Sequence, residues 1–380
     1  MRSMRTTFWL AALIGAAACS DQRHNAELVT GPEVSLRAAD GQSGAVFVAT
    51  NQVAANAVWA YERAADGALS DPQAFPTGGT GTGAGLGSQG GLVLSSDGRW
   101  LLVVNAGSND VSVFAVEGDE LELADRAPSG GILPVSIAVH ERLVYVLNAG
   151  GAGNVSGFAL GEGGRLRALS NSTRPLSSTA AGPAQAEFSP DGRTLVVTEK
   201  ATNKITLYAV DEDGRLSTPR PVQSVGATPF GFAFSRSGTL IVSEAFGGAP
   251  GASALSSYRL SRHGLQVISR SVGTTQTAAC WVVVTENQRF AYTSNTGSGT
   301  ISGYLVSRDG RLSLLDSDGV TATTGAGPID LALSRESRFL YSLDSGARGI
   351  SGFRVGPGGD LTLLSRVSGL PAGANGLAAM

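Results

Sequence analysis

The chain repeats one pattern of apolar and polar residues about every 50 residues. Each copy has a β-rich run ending in a polar residue, a Gly/Ser/Asn turn, a second apolar run with an aromatic, and a Gly turn followed by Leu. Residues 102–116 (LVVNAGSNDVSVFAV) and 293–306 (TSNTGSGTISGYLV) show it plainly. The polar residues that end the first run are Asn51, Asn105, Asn148, Glu199, Glu244, Asn295 and Asp344. This period is typical of a propeller blade, so seven copies predict an all-β, seven-bladed β-propeller.

The order of runs within a copy predicts how one blade is built. A strand begins at or just after Pro, as in 183–188 (PAQAEF), where Pro costs no ladder hydrogen bond. An Asp-Gly turn such as 189–193 (SPDGR) supplies the positive φ that a hairpin needs before the second strand. Two further strands follow, so we expect four antiparallel strands per blade, the first strand being innermost.

The two ends of the repeat array complement each other. Residues 45–51 begin at a second strand and lack an innermost one, whereas residues 375–380 (NGLAAM) read as an innermost strand with nothing after it. Pairing the N- and C-terminal strands in one blade would close the ring and leave no open sheet edge there. We therefore expect the propeller to span residues 44–380.

The first 19 residues have the features of an export signal. Arg2 and Arg5 form a positive region, residues 8–15 an apolar core too short to span a bilayer, and Cys19 follows three alanines. This arrangement indicates a bacterial lipoprotein with an acylated Cys19, although Ala-x-Ala also suits ordinary signal peptidase. Residues 20–43 then form a polar tether. We expect an outer-membrane lipoprotein or a periplasmic protein that touches the membrane only through its lipid anchor.

Charge and cysteine content narrow the function classes. The net charge is −3 and the 28 basic residues are scattered, which argues against nucleic-acid binding. Besides Cys19 the chain contains only Cys280, in the apolar run TAACWVVVT, where a small buried thiol is expected rather than a nucleophile. We expect a monomer.

Polar residues on the innermost strands are the first candidates for chemistry. Period-two alternation places Ser136, Gln185, Trp281 and Asp330 at equivalent positions facing the central channel, with Glu187 two residues further along. Glu187 and Asp330 are candidate general bases, because an unpaired carboxylate is costly on a buried strand. The alternative is that they only line a wet channel. Ser136, Gln185 and Trp281 are candidate substrate-binding residues, with Trp281 either a stacking platform or a plug.

Strand direction sorts the loops onto two faces. The turns of the SPDGR type lie on one side, which we call the turn face. The second-to-third turns and the long connections between blades lie on the other side, the loop face, and 76–91 is the longest of them. Variable loops on a rigid scaffold commonly bind ligands. The basic residues Arg174, Lys200 and Arg348 on the loop face are candidate substrate contacts.

The acidic strand-end residues allow two interpretations. Glu199, Glu244 and Asp344 stand where other copies have Asn, and such residues commonly bond their own turn backbone. They could instead hold a divalent cation such as Ca²⁺ through oxygen ligands. Turn capping is favoured, since the sequence does not show that the three acids converge.

The ordered recurrence of SPDGR, a strand ending in Asn, GSGTISGY and DGRLSLL resembles the lactonase family of seven-bladed propellers. The resemblance covers residues 45–380 and implies a carboxylic-ester hydrolase acting on a lactone, similar to 6-phosphogluconolactonase. Family members often carry His beside the Pro that opens an innermost strand, and none stands there in this chain. The three histidines, His24, His140 and His263, are expected off the loop face.

These observations lead to two functional hypotheses. The first is an exported lactonase-like propeller that hydrolyses an unphosphorylated lactone at the loop-face mouth of the channel. The alternative is a non-catalytic exported propeller that uses the loop face to bind a glycan, a peptide or a partner protein.

Overall fold

The computed structural model describes residues 42–380, which form seven antiparallel sheets. The predicted signal segment, Cys19 and nearly all of the predicted tether lie outside these residues. In the described part the regular secondary structure is β-strand, apart from a short 3-10 helix at Phe246–Gly248. No helix in this range is long and apolar enough to cross a membrane.

The first three blades contain strands β1 to β12 and the last strand of the chain. Blade 1 comprises β1 (Gly44–Ala49), β2 (Ala57–Arg63), β3 (Gln73–Pro76) and β30 (Leu377–Ala379). Blade 2 comprises β4 (Leu92–Leu94), β5 (Trp100–Asn105), β6 (Asp110–Glu117) and β7 (Glu120–Pro128). Blade 3 comprises β8 (Pro134–His140), β9 (Leu143–Asn148), β10 (Asn154–Leu160), β11 (Leu166–Ala168) and β12 (Arg174–Pro175).

The remaining four blades follow in chain order. Blade 4 comprises β13 (Pro183–Phe188), β14 (Thr194–Glu199), β15 (Lys204–Ala209) and β16 (Arg220–Gln223). Blade 5 comprises β17 (Pro229–Phe234), β18 (Thr239–Glu244), β19 (Ala254–Ser261) and β20 (Gly264–Gly273). Blade 6 comprises β21 (Ala279–Val284), β22 (Phe290–Asn295), β23 (Thr300–Val306), β24 (Leu312–Leu314) and β25 (Ala322–Thr323). Blade 7 comprises β26 (Pro328–Leu333), β27 (Phe339–Asp344), β28 (Gly349–Val355) and β29 (Leu361–Ser368).

The ring closes through blade 1, as the sequence predicts. Strand β30 pairs antiparallel with β1, with Val46 opposite Ala379 and Val48 opposite Leu377. The backbone N–H of Met380 adds a hydrogen bond to the carbonyl of Ala45 at 2.9 Å. The two termini of the propeller are thus held in one sheet.

Apolar side chains of neighbouring blades interdigitate to form the core. Between blades 3 and 4, for example, Tyr145 and Phe188 meet edge to face with ring centroids 6.0 Å apart, against the buried Tyr208. Each blade buries both faces in this way, so its strands are apolar at most positions. The innermost strands form the wall of the central channel. Their inner edges have no strand partner.

Candidate functional site

Polar side chains bridge neighbouring innermost strands near the loop face. The inner edge of such a strand has free N–H and C=O groups, which must find partners if they are buried. Ser136 Oγ, on β8, accepts from the N–H of Ala186 at 3.1 Å. Gln185, on β13, accepts from the N–H of Phe232 at 2.6 Å and donates to its carbonyl at 2.9 Å. Ser136 and Gln185, expected to bind substrate, therefore join blades 3, 4 and 5 at the inner edge of the ring.

Asp330 does the same between blades 7 and 1. Its Oδ2 accepts from the N–H of Leu377 at 3.0 Å and its Oδ1 from the N–H of Leu331 at 2.8 Å. The side chain is 3% exposed. Burial raises the pKa of Asp330 well above the usual aspartate value, while the two N–H groups act in the opposite direction. Both carboxyl oxygens are engaged by backbone, so the contacts favour a bridging role.

Blade 5 has no side chain at the equivalent position, because the third residue of its innermost strand is Gly231. The gap is filled by Gln89, from the long connection before blade 2. Gln89 Nε2 donates to the carbonyl of Val282 at 2.8 Å, and its Oε1 accepts from the N–H of Val282 at 3.1 Å. Its own N–H bonds the carbonyl of Ala184 at 3.0 Å. Gln89 thus links innermost strands of blades 4 and 6 across the ring.

Residues 86–91, which we call the plug, occupy the loop-face end of the channel. Ser88 is fully buried, donates to the carbonyl of Val135 at 2.8 Å, and accepts from the indole N–H of Trp281 at 3.1 Å. The ammonium of Lys200 bonds the carbonyl of Gly87. Trp281, 3% exposed, belongs to this closure. The connection expected to bind ligand on the loop face therefore folds inward against the innermost strands.

The turn-face half of the channel is accessible instead. We call this half the vestibule. It is defined by the partly exposed residues at the fourth and later positions of the innermost strands. They are Val93, Leu94, Val139, His140, Glu187, Ala233, Phe234, Val283, Val284, Leu333, Ala379 and Met380. Among them Glu187 has the one acidic side chain, and His140 at the end of β8 is the other ionisable residue.

The surroundings of Glu187 suit a proton acceptor. Gln185 Nε2 donates to Glu187 Oε2 at 2.9 Å, and the backbone N–H of Phe234 also bonds the carboxyl group. Removal from bulk water by the apolar wall raises the pKa of Glu187 to about 8, and the Phe234 hydrogen bond opposes that shift. A base with a pKa near the working pH is favourable for general base catalysis.

A cavity of about 320 Å³ opens at the turn face next to the vestibule. Its floor contains Phe234, Val284 and Leu333, and its rim includes Arg236 and Arg335. The size lies at the lower end of small-molecule sites, about 300–1,000 Å³. Phe234 connects the two, because it lines the cavity and its backbone N–H bonds the Glu187 carboxyl group.

The basic loop-face candidates occupy separate places. Arg174 bonds the carbonyls of Asn171 and Thr173 at the outer side of blade 3. Arg348 bonds the carbonyl of Leu370 at 2.9 Å. Lys200 lies over the ring of Phe230 at 4.6 Å, and burial lowers its pKa. Arg174 and Arg348 are held by their own blades and Lys200 by the plug, so each of the three has different partners.

The acidic strand-end residues anchor the connections between blades. Each is buried and accepts from a backbone N–H of the incoming connection and from a hydroxyl on its own third strand. The pairs of donors are Ser177 and Thr206 for Glu199, Gly226 and Ser256 for Glu244, and Gly325 and Ser351 for Asp344. Within residues 42–380 no three His, Cys, Asp or Glu side chains are grouped to hold a metal ion. Each acid therefore ties the incoming connection to the third strand of its own blade, which differs from the expected bond to its own turn backbone.

Cys280 and His140 take positions consistent with packing. Cys280 is 7% exposed, and burial raises the pKa of its thiol to about 11. His140 ends β8 on the turn face, where its ring lies 5.8 Å from that of Phe188.

Sequence reasoning identified Glu187 and Gln185 but missed Gln89, Phe234, Val284 and Leu333. Gly231, at a position where other blades carry a side chain, was the available signal that another residue fills that space. The apolar residues carried no signal by themselves, since they look like ordinary strand residues.

Comparison with known proteins identifies a matching family. The sequence model of the family "Lactonase, 7-bladed beta-propeller" matches residues 45–174 and 152–245. No curated protein matches the chain.

Solved structures share the fold at low sequence identity. A proposed 6-phosphogluconolactonase of Bacteroides uniformis has a TM-score of 0.70 at 17% identity, covering 89% of this chain and 100% of that one. The periplasmic gluconolactonase of Pseudomonas aeruginosa has a TM-score of 0.68 at 17% identity, covering 88% and 98%. At such identities the similarity shows the fold alone, and the chemistry has to be argued from the site.

Proposed function

Since the chain belongs to the lactonase family of seven-bladed β-propellers, we propose that it hydrolyses a lactone in the vestibule, with Glu187 as the general base. The observation that carries the proposal is the partly exposed Glu187 carboxyl group, with its pKa raised to about 8, next to Phe234, which lines a cavity on the turn face. Gln185 is a positioning residue, because its amide holds Glu187 Oε2 at 2.9 Å.

The reaction requires one proton acceptor that later returns the proton. Glu187 takes a proton from a water molecule as that water attacks the lactone carbonyl carbon. The tetrahedral oxyanion then collapses, the ring C–O bond breaks, and the leaving alkoxide takes the proton from Glu187. One water is consumed, one hydroxy acid is formed, and Glu187 is again ionised.

Glu187 is a better candidate than Asp330. Both have a raised pKa, but both oxygens of Asp330 accept backbone N–H groups that would lose their partners if the carboxyl group moved. Glu187 is partly exposed, whereas Asp330 is 3% exposed. We assign Asp330 to ring closure and Glu187 to chemistry.

We also propose that the protein acts outside the cytoplasm. The apolar core before Cys19 supports this proposal, and a structurally similar protein is a periplasmic gluconolactonase. An exported enzyme would meet unphosphorylated lactones, which is why these are the substrates to test first.

A second candidate function is binding without catalysis. A groove of about 710 Å³ between blades 4 and 5, on the turn face, is lined by four arginines, Arg193, Arg236, Arg259 and Arg262. Guanidinium groups bind carboxylate and phosphate well, so this groove favours an acidic glycan or peptide as ligand.

The experiment measures acid release from a panel of unphosphorylated lactones by the purified protein and by Glu187→Gln. The variant keeps shape but cannot accept the proton, so we expect a loss of about 10²–10⁴-fold in rate without loss of thermal stability. Glu122→Gln, at an exposed residue of β7, is the matched control. Equal rates for the wild type and Glu187→Gln would refute the assignment. Absence of hydrolysis by the wild type would favour the binding function.

A further inference from the structure

The wall of the vestibule is apolar apart from His140 on blade 3 and Glu187 on blade 4. Phe234, Val284 and Leu333 form the floor of the mouth cavity, and Leu94, Val139 and Met380 continue the ring at the same level. All six are partly exposed. A molecule that reaches Glu187 from the turn face therefore passes between aliphatic and aromatic side chains.

The polar side chains at the rim of the cavity are already engaged in their own turns. Ser235 bonds Ser237 and the N–H of Thr239, Thr285 donates to Asn287 at 2.7 Å, and Ser334 accepts from the N–H of Phe339 at 3.1 Å. Ser337 Oγ accepts from the N–H of Glu286, and Gln288 Oε1 accepts from the N–H of Ser237. These groups fix the turns, so little hydrogen-bonding capacity is directed at a ligand.

The charges at the rim are largely balanced. Arg236 forms an exposed ion pair with Glu286 at 2.7 Å. Arg335 extends toward the turn of blade 2 at Gly98. The rim thus offers a cation for the carboxylate of the product but no row of donors and acceptors for several hydroxyl groups.

We infer that the substrate is a lactone carrying an aliphatic chain, and that Phe234, Val284 and Leu333 determine this specificity. The inference rests on the proposed function. The lactone ring lies at Glu187, and the chain extends toward the turn face against the apolar floor.

The physical reason is the cost of removing polar groups from water. The hydroxyl groups of a sugar lactone would be desolvated in the vestibule without partners, which is unfavourable. Each methylene of an alkyl chain that is buried instead favours binding by about fourfold. An alkyl-substituted lactone should therefore be preferred over a polyhydroxylated lactone with the same ring.

The test compares kcat/KM of the purified protein for three six-membered lactones. These are δ-valerolactone without a chain, δ-decalactone with a pentyl chain, and the polyhydroxylated glucono-δ-lactone. We expect δ-decalactone to exceed each of the others by at least about tenfold, given about fourfold per buried methylene. This comparison needs no variant and so does not depend on the folding of a mutant.

Two variants then locate the specificity. Val284→Thr adds a hydroxyl with little change in shape, and Leu333→Asn makes the floor polar, so both should lower the δ-decalactone to δ-valerolactone ratio by about three- to tenfold. Val53→Thr, at a residue that is 64% exposed on the loop face, should leave the ratio unchanged.

The outcomes separate the inference from the proposed function. Preferred hydrolysis of glucono-δ-lactone, or an unchanged ratio in both folded vestibule variants, overturns the inference and leaves lactone hydrolysis intact. Absence of hydrolysis for all three lactones overturns the proposed function and the inference together.

Discussion

The side-chain amide of Gln89 lies in the space next to Gly231 that a side chain on Gly231 would occupy. In blades 3, 4 and 7 the third residue of the innermost strand bridges to the next blade through its own side chain. Blade 5 has glycine there, and a residue from a different part of the chain supplies the bridge to Val282. The plug and the glycine therefore depend on each other.

Loss of the Gln89 amide should destabilise the protein. Gln89→Ala leaves the N–H and C=O of Val282 without their partner, and an unsatisfied buried polar group costs about 1–3 kcal/mol. We expect a lower free energy of unfolding in denaturant titration. Gln73→Ala, an exposed glutamine of β3, serves as control and should change little.

Gly231→Ala tests the same contact from the other side. The added methyl group would meet Gln89 Oε1 and the carbonyl of Cys280, so the plug has to shift. We expect a destabilisation comparable to that of Gln89→Ala, and a double variant less destabilised than the sum of the two. Simple additivity would show that the two residues do not share one site.

Asp330→Asn should separate structure from chemistry. Asparagine keeps one acceptor oxygen, so one of the N–H groups of Leu331 and Leu377 loses its bond, at a cost of about 1–3 kcal/mol. Lactone hydrolysis below the melting temperature should remain at the wild-type level. A folded Asp330→Asn protein that has lost turnover would move the catalytic role from Glu187 to Asp330.

Closure of the ring predicts the effect of shortening the chain. Deletion of residues 375–380 removes β30 and leaves the inner edge of β1, at Val46, Phe47 and Val48, without a strand partner. We expect cooperative unfolding to be lost. Leu377→Ala keeps the strand and removes only side-chain packing, so it should cost about 2–5 kcal/mol and leave unfolding cooperative. Similar thermal midpoints for the deletion and the wild type would contradict closure through blade 1.

The sequence predicted features that arise from local and periodic signals. Strand alternation and Asp-Gly turns act within a few residues, so blade count, strand order and closure could be predicted and are confirmed. Glu187 was found because a charge in an apolar strand is conspicuous. The plug could not be predicted, since Gln89 and Val282 are 193 residues apart and the connection that carries Gln89 is glycine-rich without period. The inward path of this connection depends on that contact across the ring.

The pH dependence of activity and stability should have opposite signs if Glu187 is the base. Activity requires the carboxylate, so the enzymatic rate should rise with pH and level off above the pKa of Glu187, about 8. The free energy of unfolding is greatest where Glu187 is protonated. The reason is that the pKa of its carboxyl group is raised from 4.5 in the unfolded chain to about 8 in the native protein.

Between these two values the native state holds a proton that the unfolded state has released, so stability falls as pH rises through this window and is lowest above it. Thermal midpoints of the wild type and Glu187→Gln, measured from pH 4 to 9, test the predicted pH dependence of stability. The variant should lose this part of the decline and be more stable than the wild type at pH 9, while its rate stays low at every pH. Parallel curves of thermal midpoint against pH for the two proteins would show that Glu187 is ionised in the native state throughout. Its pKa would then be ordinary, and it could not be the group that makes the rate rise through pH 8.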